Sequence, residues 1–125
     1  MIVARPTLVS LLQQKVIELK YTRRIQRPDR PATRRMLCTN NQQLLMSENG
    51  LNVLRYKPSG GQSNHNHSLH NTVPTWDILV QDYRTVSADN CDVITVFEPD
   101  ESWWTYFNES ILPMNADQKL TFLNS

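Results

Sequence analysis

The stretch VPTWDILVQDYRTVSADNCDVITVF, residues 73–97, decides the fold. In Val73–Gln81, Trp76, Ile78 and Val80 alternate with Asp77, Leu79 and Gln81, the period of a strand with one apolar face. A turn near Gln81 and Asp82 leads into a short strand over Tyr83–Val86. A second turn at Ser87–Asn90 opens the β-branched run Cys91–Phe97. Three short strands joined by polar turns describe a small antiparallel meander, as in a sandwich or barrel.

Working outward, Lys15–Thr22 alternates as cleanly. Ile17, Leu19 and Tyr21 would face a core, with Glu18, Lys20 and Thr22 facing out. The following RRIQRPDRPAT carries prolines at 28 and 31, which lack backbone donors, so it reads as a loop. Thr33–Thr39 returns to strand character, with Met36 and Cys38 on one face and Leu37 on the other. Together these segments form a hairpin with a long basic tip. Pro6–Gln14 suits a short helix with Leu8, Leu11 and Leu12 on one side. Between hairpin and meander, the residues suggest a helical turn around Leu44–Met46 stopped by Asn49-Gly50, a short strand at Leu51–Lys57, and a polar loop over 59–72. After Pro99, Asp100 is an N-cap for a helix with Trp103, Phe107 and Ile111 at helical spacing, ended by Pro113. Asn115 and Gln118 make a capping box for a last helix that turns Leu120 and Leu123 inward. The expected architecture is mainly β with terminal helices in one domain, 1–125. It comprises an N-terminal helical segment (1–14), a small antiparallel barrel (15–98) and a C-terminal helix or helical hairpin (99–125).

Two segments, ELKYT…RRMLCTNN at 18–41 and TWDILVQDYRTVSADNCDVI at 75–94, resemble a mostly uncharacterised family of small SH3-like barrel proteins of tailed bacteriophages. The resemblance rests on Lys20, Thr22, Arg35, Met36, Cys38 and Thr39 in the hairpin. In the meander it rests on Trp76, Asp77, Gln81, Tyr83, Arg84, Val93 and Ile94. It covers about a third of the chain and implies an SH3-like fold and a viral origin, with no catalytic residues attached. The long basic tip, the histidine-rich loop and the tryptophan-rich C-terminal helix depart from the family pattern, so any specific function is expected in these additions.

Charge is sorted along the chain. Residues 1–60 hold 11 basic and 3 acidic residues, net +8, and residues 61–125 hold 2 basic and 9 acidic, net −7. In a barrel, strands of both halves share one sheet, so part of this split cancels and the positive charge concentrates at residues 23–35. There Arg23, Arg24, Arg27, Arg30, Arg34 and Arg35 stand beside Tyr21. Arginine suits planar recognition of phosphate, and Tyr21 or Tyr56 can stack on an exposed base. The bland alternative is a solvated loop balanced by the acidic half.

His65, His67 and His70 have a spacing that can bind a metal, but without a neighbouring thiolate or carboxylate they read as part of a polar loop. Asp77 and Asp92 are expected on outward strand positions and Asp82 and Asp89 in turns, with no nucleophile or base set beside them. The reading is therefore non-enzymatic and without a cofactor. Trp103 and Trp104, with Tyr106 and Phe107, exceed what one core stripe uses and are candidates for a protein interface or a homodimer contact. Cys38 and Cys91 read as buried, reduced core residues. No apolar run reaches the ~20 residues of a membrane helix, and the N-terminus lacks the pattern of a secretory signal. The expectation is thus a cytoplasmic accessory protein, in the host cytoplasm if phage-encoded. It would use the basic loop to engage nucleic acid or a nucleic-acid-associated host protein. The alternative is an interaction module that inhibits a host defence or transcription enzyme without touching nucleic acid.

Overall fold

The computed structural model describes residues 1–23, 25, 27–58 and 67–125. Helix α1 (Arg5–Gln14) starts with Pro6 in its first turn, where a missing N–H costs nothing, and buries Leu8 and Leu12 completely. Each of these leucines contributes roughly 1.5–3 kcal/mol by leaving water. Strands β1 (Val16–Thr22) and β2 (Thr33–Thr39) form the expected hairpin, paired in register from Val16 with Thr39 to Thr22 with Thr33. Two short helices follow, α2 (Gln42–Leu45) and α3 (Glu48–Asn52), capped by the side chains of Asn41 and Ser47. Next come β3 (Thr72–Asp77), β4 (Asp82–Ser87), a 3-10 turn (Ala88–Asn90) and β5 (Cys91–Phe97). Helix α4 (Glu101–Tyr106) runs on into a π-helical turn (Phe107–Ile111), and α5 (Ala116–Leu123) closes the chain.

The five strands form one antiparallel sheet in the order β4-β3-β2-β1-β5. It is an open sheet in a mixed α/β arrangement, with β4 and β5 as its edges. Its β2–β3 seam is short. Only Cys38–Asp77 and Thr39–Trp76 pair there, because the two strands overlap at their C-terminal ends alone. The tip half of β2 thus runs past the end of β3, and α5 lies against β2.

Two apolar clusters fill the molecule. Adjacent residues of a strand point to opposite faces, and Val16 and Ile17 belong to different clusters, as do Leu37 and its neighbours Met36 and Cys38. One face therefore packs Ile17, Leu19, Met36, Cys38, Val86 and Cys91 under α1. The other packs Val16, Leu37 and Trp76 against α2, α3 and the α4 region. Both cysteines are buried and free, and burial pushes both thiols up, so they stay protonated and inert.

Three local expectations change. The strand expected to run to Gln81 stops at Asp77; Ile78–Gln81 form the turn, with Ile78 and Leu79 buried in the second cluster. The segment expected as a strand at Leu51–Lys57 instead begins inside α3, and Asn49-Gly50 lies within that helix rather than stopping it. Glu18, expected outside, is buried, and its charge is met by Arg35 (2.9 Å) while it accepts from Thr95 Oγ1 (2.9 Å). Gly50 is required for space: a Cβ there would fall against the backbone carbonyl oxygens of Leu44 and Leu45. Gly50→Ala is expected to cost about 1–3 kcal/mol through overpacking, read as a lowered denaturation midpoint; an unchanged midpoint would mean that α2 and α3 separate freely.

Candidate binding cleft at the basic hairpin

The hairpin tip, β4 and the end of α5 meet around an open cleft of about 490 Å³. Arg23, Arg30 and Arg34 line it together with Tyr21. No carboxylate is among its described lining residues, although the chain carries 12 acidic residues. Its lining also includes the apolar Val86, Leu120 and Leu123 and the polar Ser87, Asn90 and Asn124.

Each arginine is set by a different constraint. Arg23 donates to the carbonyl oxygens of Pro31 and Thr33, which ties the two ends of the loop together. Arg30 donates to Ile25 O (3.2 Å), inside the loop, and remains exposed. Arg34 stands opposite Tyr21 in the ladder, donates to its hydroxyl (3.2 Å), and pairs with Asp77 Oδ2 (3.1 Å). Asp77 is wholly buried and also accepts from the Leu79 and Val80 amides through Oδ1. Burial pushes its carboxyl up, while the Val80 amide and Arg34 pull it down. The outward placement expected for Asp77 is thus corrected: the strand ends at this residue and its side chain caps the buried turn that follows. Asp92 is exposed on β5, Asp82 caps Tyr83 N, and Asp89 accepts from Asn71, in line with the turn and surface roles expected for them.

The other expected site residues scatter. Arg27 is exposed in the loop. Arg35 points to the opposite face from Arg34, paired with Glu18 and lying over the Phe122 ring at 4.4 Å. Arg24 lies outside the described residues, as does His65. His67 bonds Thr72 Oγ1 through Nδ1 (2.9 Å), closing the turn before β3, and His70 is exposed. Among the described residues no group of three or more His, Cys, Asp or Glu side chains could hold a metal. Trp103 is fully enclosed, ringed by Phe97, Trp104, Tyr106 and Phe107, and Trp104 is half-buried. Tyr56 is buried, its hydroxyl 2.7 Å from that of Tyr83, which takes it out of reach of a ligand base.

Sequence reasoning did not point to the contributions of β4, the 3-10 turn and α5, which are Thr85 and Ser87, Asn90, and Leu120. Nothing in their local pattern marks them, because only the fold brings them beside the hairpin tip. Among the described residues, no helix is long and apolar enough to cross a membrane. Comparison with protein-family models, with curated proteins and with solved structures finds no match to the chain.

Proposed function

We propose that this is a non-enzymatic binding protein whose basic hairpin tip and adjoining cleft engage nucleic acid. The observation that carries the reading is the cleft lined by Arg23, Arg30 and Arg34 with no carboxylate among its described lining residues, in which Arg34 pairs with the buried Asp77 while Arg23 and Arg30 have no ion pair to an acidic side chain among the described residues. Arginines left out of ion pairs attract phosphate groups, and displaced counterions make such binding weaken with salt. The protein-interaction alternative has less support. It relied on surplus tryptophan surface, and Trp103 is enclosed while Trp104 packs against Trp103 and Phe107. We likewise infer that the sheet is an opened SH3-like barrel of the phage type, acting in a host cytoplasm. The order β4-β3-β2-β1-β5, in which the last strand returns to the first, supports that reading of the fold.

Binding of the protein to an oligonucleotide is expected to fall steeply as salt is raised. Arg27 and Arg30 are exposed and free of ion pairs to acidic side chains among the described residues, so changing both to Ala leaves folding intact. The double variant is expected to bind more weakly and to reduce the slope of log K against log salt by about 1–2. A double variant with the affinity and slope of the unmodified protein would overturn the proposal.

A further inference from the structure

Resting on that reading, we infer that the cleft admits one unpaired nucleotide, so that the protein binds single-stranded nucleic acid in preference to duplex. A cleft of about 490 Å³ lies in the range that encloses a small ligand and is far too small for a double helix. Its surface is also divided in the way a nucleotide is divided. Arg23 and Arg30 offer cationic donors for a phosphate. Leu120, which is 58% exposed in the free protein, and Leu123 present an apolar wall for the face of a base. Ser87, Asn90 and Asn124 bring hydrogen-bonding groups to the lining, to which a base edge can bond.

A duplex shows a protein its phosphates and groove edges and hides the base faces in the stack. It would therefore use the arginines and leave the apolar wall exposed. An unpaired nucleotide uses all three surfaces, and contact with a base face adds affinity that tolerates any sequence. Arg34 sharpens the fit. It is held between Asp77 and the Tyr21 hydroxyl, so this part of the cleft's lining is ordered before a ligand arrives.

The test uses the full chain and labelled oligonucleotides of about twelve residues, a length within single-strand site sizes. Single-stranded DNA, single-stranded RNA and the DNA duplex are titrated by fluorescence anisotropy at one salt concentration. Thr85 is exposed and lines the cleft, so Thr85→Trp fills the space without adding charge. The unmodified protein is expected to bind at least one single strand about tenfold or more tightly than duplex, the comparison of DNA with RNA identifying which. Thr85→Trp is expected to abolish that preference while leaving duplex affinity within about twofold. Asn108→Trp, which adds the same bulk at an exposed position outside the cleft's lining, should behave as the unmodified protein, and matched denaturation midpoints confirm folding.

Equal affinity for single strand and duplex would overturn this inference and leave the basic hairpin reading standing. A single-strand preference that survives Thr85→Trp would overturn it too, because the cleft would not be its source. Absence of binding to all three probes would overturn both readings.

Discussion

Asp77→Ala is expected to lower stability by about 3–5 kcal/mol, the cost of breaking a buried ion pair from one side. The substitution strands Arg34, whose side chain is only 13% exposed, with the Tyr21 hydroxyl as its remaining hydrogen-bond partner among the described residues. It also frees the Leu79 and Val80 amides, which the same carboxylate caps in the turn between β3 and β4. Urea denaturation measures the loss; a change under about 1 kcal/mol would mean that water reaches the turn and replaces the carboxylate. Asp77→Asn separates the two roles, since its amide oxygen can still accept from the turn while the charge is gone. Its cost is expected to be the smaller of the two.

The pH dependence of the pair has a definite sign. Burial raises the folded-state value of the Asp77 carboxyl above its ordinary 3.8. The folded chain therefore holds this proton more tightly than the unfolded chain does. The stability from that proton is fully present below 3.8 and is lost as pH rises through the raised folded value. The stability difference between the unmodified protein and Asp77→Asn should accordingly shrink from acid toward neutral pH. A difference that grows with pH would show that pairing with Arg34 outweighs burial.

Asp77 also shows where sequence reading stops. Caps are local, so Asp100 over Ser102 N and the reciprocal Asn115–Gln118 box stand where their spacing places them. The hairpin and α1 are equally legible, because one apolar period runs through each. Ile78, Leu79 and Val80 mislead because a buried turn is as apolar as a strand, and alternation alone does not separate the two. The chain leaves the strand at Asp77 because its carboxylate binds amides two and three residues on, a competition that only the tertiary fold settles. The arginines fail to read for a related reason. Arg34 and Arg35 are neighbours in sequence, yet the pleat sends them to opposite faces, where Asp77 and Glu18 wait on other strands. A run of six arginines thus contains two held by carboxylates of other strands, of which Arg34 still lines the cleft with Arg23 and Arg30 while Arg35 does not.

Trp103→Ala is expected to cost about 3–5 kcal/mol, the range for emptying a large aromatic from a packed core, whereas Trp104→Ala should cost clearly less. Their aromatic neighbourhood does not predict this contrast, since the two residues are adjacent and their rings lie 6.4 Å apart. What separates them is the helical face. Trp103 shares the stripe of Phe107 and Ile111 that presses on Val16 and Leu37, while Trp104 sits at the margin of that contact. Trp103→Phe then isolates the cause. The Trp103 indole N–H is buried without an acceptor among the described residues, so a phenyl ring gives up some packing and removes an unsatisfied donor at once. Trp103→Phe should therefore keep most of the stability that Trp103→Ala loses. If it is as damaging as Ala, the indole N–H is making a contact that matters, and the core around α4 is held by more than apolar packing.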